Sequence, residues 1–164
     1  MKNALAETLR QQTQILFANI EVTFKAADHI DFNKSIIRGP LWKHFYHMLH
    51  SFDQWFVNPS QFTEPSFHET GLNLIDTTTS EKVLSKKTLR EYYERIRIKT
   101  NTYLEELDAT MLTECPDGSR FSRMILIIAQ YRHLMYHVGF IHACIMKETG
   151  NMPEFIGISP PIGS

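Results

Sequence analysis

The sequence predicts an all-α fold, a four-helix bundle with a long crossover between helices two and three. Apolar residues recur at spacings of three and four in four separate stretches, which is the period of an amphipathic helix and not of a strand. The polar, turn-rich segment from Pro59 to about Ser85 is far longer than the roughly 2–8 residues that usually connect antiparallel helices. Because such a segment can return along a whole helix, we expect helices two and three to run parallel.

The composition is that of an ordinary globular domain. The 164 residues are 43% apolar and 21% charged, which suits a single core and excludes a disordered chain. The 17 basic and 18 acidic residues nearly cancel, so no general attraction to nucleic acid or to a membrane surface is expected. Two cysteines, Cys115 and Cys144, cannot form a disulfide framework, and the first residues lack a secretory-signal pattern. These features predict free thiols and a cytoplasmic location.

Helices one and two are expected from Asn3 to Ala27 and from Pro40 to Val57. Proline suits the first position of a helix, where its missing N–H would be unpaired in any case. The stripe of helix one consists of Leu5, Leu9, Leu16, Ile20 and Phe24. The stripe of helix two consists of Leu41, Phe45, Met48, Leu49, Phe52 and Phe56.

Helix three is expected from Lys86 to Leu112, and helix four from Arg120 to Glu148 with Gly150 as its C-terminal cap. The middle of helix four is apolar enough to raise the question of a membrane span. Two histidines and one arginine within it favour a buried helix of a soluble bundle instead. Residues 1–150 are therefore expected to form the bundle, and residues 151–164 an irregular tail that packs loosely.

The candidate chemistry lies with the histidines, because the sequence has no glycine-rich phosphate loop and no serine-hydrolase motif. His133 and His137 are four residues apart, so they project from one helical face and could bind one metal ion. They could equally be core histidines that hydrogen-bond to other side chains. His142 lies on the opposite side of the helix and is expected at the surface. The residues that share the face of His133 are apolar: Leu126, Ala129, Phe140 and Cys144.

Helix two offers three further candidates, His44, His47 and His50. These histidines are three residues apart, so each side chain is rotated about 60° around the helix axis from the one before it. Only one of them can therefore point well at a given site. The apolar arc of this helix centres near Phe45, which places His44 near one edge and the other two on the far side. The helical periodicity therefore does not choose among the three.

Two motifs together resemble the DinB-like family of metal-binding four-helix bundles. The segment YHMLHSFDQWF at 46–56 is similar to the family's second-helix pattern, and RHLMYHVG at 132–139 is similar to its fourth-helix pattern of two histidines followed by glycine. The resemblance implies a three-histidine metal site formed by His47, His133 and His137.

The chain departs from the family pattern at two positions beside this site. Tyr136 stands where the family often has a second histidine, and Phe140 stands where it often has glutamine. Both departures leave the three implied ligands intact. His44 and His50 remain reserve ligands.

A site of three imidazoles without a carboxylate suits a divalent transition metal such as zinc, nickel or iron, and copper is also compatible, whereas magnesium and calcium prefer oxygen ligands. Three protein ligands leave coordination positions open, as in catalytic sites. The resemblance implies a thiol-dependent S-transferase or isomerase, in which the metal holds a low-molecular-weight thiol as thiolate. We therefore expect a homodimer with a metal-dependent transferase or hydrolase-like activity on a small-molecule substrate. The sequence assigns no catalytic residue and no organic cofactor.

The alternative function is a noncatalytic module in which the metal or the histidines hold helix two against helix four. Asp53 is the carboxylate nearest to His47 by motif, but the two are roughly 120° apart around the helix. Asp53 is therefore interpreted as a surface or interhelical ion-pair residue.

Overall fold

The structure is a computed structural model that describes residues 4–76 and 80–158, and it is predominantly helical. Its helices are α1 (Ala4–Ala26), α2 (Leu41–Trp55), α3 (Lys86–Glu106), the short α4 (Ala109–Thr113) and α5 (Arg123–Thr149). Two short strands, β1 (Ser35–Ile36) and β2 (Gly39–Pro40), form an antiparallel pair directly before α2. The predicted helical class is confirmed, and α5 is the predicted helix four.

The four long helices share one core. α1 and α2 each pack against both α3 and α5. Aromatic rings fill the centre, where Phe24 of α1 lies 4.5 Å from Phe45 of α2 between ring centroids, and Phe17 meets Tyr93 of α3 edge-on at 6.0 Å. Burial of these rings contributes to stability, because hydrophobic burial is the dominant favourable term in folding.

α2 is buried on most of its circumference. Besides α3 and α5, the segment that follows α2 covers it with Phe67 and His68, whose rings lie near Tyr46. A helix covered on several sides has no single buried stripe, which is why the helical periodicity did not choose among its histidines. Its buried residues are Leu41, Trp42, Lys43, His44, Phe45, Tyr46, Met48, Leu49, His50 and Phe52.

Two predicted boundaries of helices two and three are wrong. Pro40 is not the first helical residue but the N-cap, with an extended backbone (ψ 153°), and it also ends β2. Helix three ends at Glu106, and α4 follows as a separate turn because the Asp108 side chain accepts a hydrogen bond from the Met111 N–H at 2.8 Å. Buried Leu107 continues the apolar period across this break, so the period alone did not reveal it.

α5 begins three residues later than predicted, at Arg123, with Ser122 as its N-cap. The predicted cap at its other end is confirmed, since Gly150 has φ 75° and donates its N–H to the Met146 carbonyl at 2.8 Å. The expectation that His142 lies at the surface is wrong. It is 4% exposed and hydrogen-bonds to the Thr23 hydroxyl at 2.8 Å, because α5 also packs against α1.

The described part of the tail, 151–158, is irregular as predicted but does not pack loosely. Its Ile156 is buried and is held by both ends of the Asn19 side-chain amide. Asn19 donates to the Ile156 carbonyl at 2.8 Å and accepts from the Ile156 N–H at 3.0 Å. The last six positions of the tail, 159–164, lie outside the described residues.

The short β-pair before α2 was not predicted, because two-residue strands leave no periodic pattern. Its turn places Arg38 at φ 65° and Gly39 at φ 121°, and the second value is one that only glycine adopts readily. Both cysteines are free, and Cys144 is buried as expected for a small apolar residue. No helix within the described ranges combines the length and hydropathy needed to span a bilayer.

Replacing Asn19 with alanine is expected to destabilise the protein by about 1–3 kcal/mol, because the buried N–H and C=O of Ile156 would lose their partners. Urea unfolding of Asn19→Ala and of the exposed control Gln11→Ala measures the difference. An unfolding free energy equal to that of the control would show that this anchor does not hold the tail.

Candidate metal centre

Three histidine rings from two helices meet at one point. His47 comes from α2, whereas His133 and His137 lie one turn apart on α5. The Nε2 atom of His133 lies 3.3 Å from Nε2 of His47 and 3.1 Å from Nε2 of His137. The centroids of the His47 and His137 rings are 4.7 Å apart. The structure thus brings together the three residues that the family resemblance implies as ligands.

Contacts on either side of this cluster determine how α2 aligns with α5. Towards the start of α2, the His44 ring stacks on Phe140 with centroids 4.7 Å apart. Towards its end, Ser51 lies 3.4 Å from the side-chain oxygen of Gln130. Because these partners occur in opposite order along the two helices, the middle of α2 faces the histidine pair of α5.

The crossover segment fixes the protonation pattern of His47. Its Nδ1 lies 2.7 Å from the main-chain carbonyl oxygen of Asn73. A carbonyl oxygen only accepts hydrogen bonds, so Nδ1 carries the ring proton and donates it. Nε2 of neutral His47 therefore presents a bare lone pair to the other two rings.

Hydrogen bonds among the three rings cannot satisfy all of their facing nitrogens. Nε2 of His133 contacts two other ring nitrogens, but a ring nitrogen is either one donor or one acceptor. It can therefore form only one full hydrogen bond of the two. The outer Nδ1 atoms of His133 and His137 are buried and have no hydrogen-bond partner within the described residues. Unsatisfied buried nitrogens are costly, and a shared cation would use all three facing lone pairs.

Burial keeps the two α5 rings neutral. It lowers the pKa of His133 from 6.5 to about 4, with a smaller effect from neighbouring His47. Burial also lowers the pKa of His137 to about 3, assisted by the nearby His133, His47 and His44. Neutral imidazole is the form that binds a metal, so these rings are in the ligand state at neutral pH.

The spacing of the three nitrogens fits a transition-metal ion. Metal–nitrogen distances of about 2.0–2.1 Å with tetrahedral or octahedral angles place neighbouring ligand nitrogens about 2.8–3.4 Å apart. The separations of 3.1 and 3.3 Å lie in this range. The ligand atoms of all three residues lie within 4.8 Å of one another, so His47, His133 and His137 could hold a metal ion.

The two reserve ligands of α2 lie elsewhere. His44 is 2% exposed and donates its Nε2 proton to the Ile37 carbonyl at 3.0 Å. His50 is also 2% exposed, and its Nε2 lies 2.7 Å from a carboxylate oxygen of Glu64. Neither ring joins the three-histidine cluster, whose member from α2 is His47.

Asp53 is an interhelical ion-pair residue, as interpreted from the sequence. Its carboxylate lies 2.5 Å from the Lys99 ammonium and accepts a hydrogen bond from the Tyr92 hydroxyl at 2.9 Å, both on α3. The outer partner of His47 is instead Asn73, which sequence reasoning missed. Asn73 lies in a turn-rich segment without periodicity, so no signal in the sequence pointed to it.

A second histidine cluster, also missed, lies between α2 and the crossover segment. It contains His50, Glu64 and His68, whose ligand-type atoms all lie within 4.8 Å of one another. The His50 and His68 rings stack with centroids 5.1 Å apart, and Nδ1 of His68 lies 2.7 Å from the Tyr46 hydroxyl. Glu64 and His68 are four residues apart but belong to no predicted helix. Their spacing therefore did not predict that their side chains lie close together.

A small cleft of about 50 Å³ reaches His137 from outside. A water molecule occupies about 30 Å³ in the liquid, so this cleft admits water or a group of a few atoms. Tyr136 and Phe140, the two positions at which the chain departs from the family pattern, form part of its wall. The remaining wall residues are Arg38, His44 and Ile75.

Comparisons of the chain with models of known protein families, with curated proteins and with solved structures found no match. The resemblance to the DinB-like family therefore stays a prediction from its two sequence motifs.

Metal-free protein is expected to lose stability as the pH falls from about 7 to 5. Unfolded imidazoles protonate near 6.5, whereas folded His133 and His137 stay neutral down to about 4 and 3, so the unfolded state binds more protons across this range. Urea unfolding in the presence of a chelator measures the slope.

The double variant His133→Ala/His137→Ala serves as the comparison for this pH dependence. Its stability should decline less steeply, because two differences in proton binding are gone. A slope identical to that of the parent would contradict the assignment of both rings as neutral and buried.

Proposed function

We propose that this chain binds one divalent transition-metal ion through His47, His133 and His137 and uses it in a metal-dependent reaction. One observation carries the proposal: three imidazole nitrogens lie within 4.8 Å of one another, two of their separations are 3.1 and 3.3 Å, and hydrogen bonds among them cannot satisfy all three. Zinc, nickel and iron are the metals that best suit such ligands.

The proposal includes membership of the DinB-like type and its parallel arrangement of helices two and three. Side-chain contacts support the arrangement. Tyr46 lies near Tyr92 with centroids 6.0 Å apart, and Phe56 lies near Tyr103 at 6.2 Å. Contact positions thus advance in the same direction along α2 and α3.

The activity we propose is that of a thiol-dependent S-transferase or hydrolase-like enzyme. An ion held by three imidazoles keeps open positions, and when bound it lowers the pKa of a water or thiol placed there. The cleft at His137 supports access for a small group. The chain's own residues would orient the ligands and exclude bulk water.

A cytoplasmic homodimer completes the proposal. Its support is a row of exposed apolar residues along α5, consisting of Ile125, Ile128 and Tyr136, which are 52%, 43% and 68% exposed. Such a row favours association with a second copy, which sedimentation equilibrium would report as a mass near twice 19.1 kDa.

Purified protein loaded with zinc is expected to hold about one equivalent per chain by elemental analysis. Replacing His47, His133 or His137 singly with alanine should weaken zinc binding by at least about 100-fold, since loss of an outer partner alone costs about 10–100-fold. The exposed residue His29 provides the matched control, and His29→Ala should bind zinc like the parent. A parent without stoichiometric zinc would refute the metal site.

Cobalt-loaded protein distinguishes an enzyme from the noncatalytic alternative. If an open position accepts a thiol, adding cysteine should produce a sulfur-to-cobalt charge-transfer absorption, and His137→Ala should abolish it. If the metal merely holds α2 against α5, cysteine should leave the cobalt spectrum unchanged, and the proposed thiol chemistry would be wrong.

A further inference from the structure

We propose that Tyr46, His50, Glu64 and His68, here called the crossover clamp, are positioning residues for the metal ligand His47. The clamp ties the crossover segment to α2, and the same segment supplies the Asn73 carbonyl that fixes the His47 ring. This inference rests on the proposed function, since His47 is positioned toward the metal proposed above.

The clamp contains two short hydrogen bonds between α2 and the crossover segment. Nε2 of His50 donates to Glu64 at 2.7 Å, and the Tyr46 hydroxyl shares a hydrogen bond with Nδ1 of His68 at 2.7 Å. Tyr46 and His50 are among the most buried side chains of α2, at 0% and 2% exposure. These partly buried hydrogen bonds fix the segment on the helix, because breaking them would leave the buried polar atoms of Tyr46 and His50 without partners.

The composition of the clamp is that of a metal site, but its hydrogen bonds argue for a structural role. Nδ1 of His68 can make one hydrogen bond, as donor or as acceptor, and it already makes that bond with the Tyr46 hydroxyl. His50 donates from Nε2 and accepts from the Asn73 side-chain amide at Nδ1, at 3.4 Å. Every one of these nitrogens is satisfied without an ion. The three-histidine cluster differs in this respect, since its facing nitrogens cannot all be paired.

A series of hydrogen-bonded turns connects the clamp residues Glu64 and His68 to Asn73. Main-chain hydrogen bonds join His68 to Pro65 at 2.7 Å, Leu72 to Glu69 at 2.9 Å, and Leu74 to Gly71 at 3.0 Å. Leu72 is 1% exposed and anchors the segment in the core. With Glu64 and His68 fixed on α2, the carbonyl that follows Leu72 is held within hydrogen-bonding distance of His47.

By holding the Asn73 carbonyl at His47, the clamp favours the tautomer of His47 that is protonated at Nδ1. A metal-binding histidine commonly donates its other ring proton to a carbonyl or carboxylate, which orients the ring and directs the bare nitrogen at the metal. His47 is the one ligand from α2, and His133 and His137 have no such outer partner among the described residues. The clamp therefore acts on the single ligand whose orientation is set by a hydrogen bond.

The experiment compares Glu64→Ala, Glu64→Gln and Glu69→Ala in the full chain. Glutamine retains an oxygen that accepts from His50, so it should rescue the loss caused by alanine. Glu69 is the matched control, because it lies on the same segment but bonds to Ser80 and Lys82 within it. Tyr46→Phe removes the second bond of the clamp while keeping the buried ring.

Two readouts are needed. The nitrogen-15 chemical shifts of His47 in metal-free protein report its tautomer, which should be protonated at Nδ1 in the parent, Glu64→Gln and Glu69→Ala, and mixed in Glu64→Ala and Tyr46→Phe. Zinc affinity should fall about 10-fold in Glu64→Ala and Tyr46→Phe, and stay within about twofold of the parent in the other two variants.

An unchanged His47 tautomer in both Glu64→Ala and Tyr46→Phe would overturn the inference, as would an equal change in Glu69→Ala. Failure of the parent to bind zinc would refute the proposed function alone, because the tautomer readout uses metal-free protein. Zinc binding that persists at a second equivalent and disappears in Glu64→Ala would show that the clamp is itself a metal site and would also overturn the inference.

Discussion

The packing of α2 against α5 is the constraint on which the candidate site depends. It brings Nε2 of His47 to 3.3 Å from Nε2 of His133 and so adds a third ring to the pair that α5 supplies. Burial lowers the pKa values of both α5 rings and so removes the positive charges that would push the three rings apart. What remains is a set of lone pairs facing one another, an arrangement that is unfavourable by itself and favourable around a cation.

The two helices contribute to the site in different ways. α5 supplies His133 and His137 through helical spacing alone, and their rings are held by packing. α2 supplies His47, whose ring is held by the Asn73 carbonyl from the crossover segment. A long connection within a compact domain is often functional, and here the segment that leaves α2 returns to cover its histidine face. The crossover is therefore part of the candidate site as well as a connection between helices.

The sequence predicted the elements that follow from periodicity and caps. The four long helices, the Gly150 cap and the inward pair on α5 all came from residue spacing and local chemistry. The sequence could not predict contacts set by tertiary packing. His142 is buried because α5 packs against α1 as well as α2. The helical periodicity of α5 gives no information on a second buried face. His47 was implied as a metal ligand by the family resemblance and not by the helical periodicity of α2, because the crossover segment buries α2 on further sides. Asn73, Glu64 and His68 lie in irregular turns, where position along the chain does not determine proximity.

Anomalous diffraction from crystals of zinc-loaded protein, recorded above and below the zinc edge, tests the central claim most directly. The account predicts one strong anomalous peak about 2.0–2.1 Å from the Nε2 atoms of His47, His133 and His137. The absence of density between these three rings, with zinc bound instead at another group of residues, would contradict it.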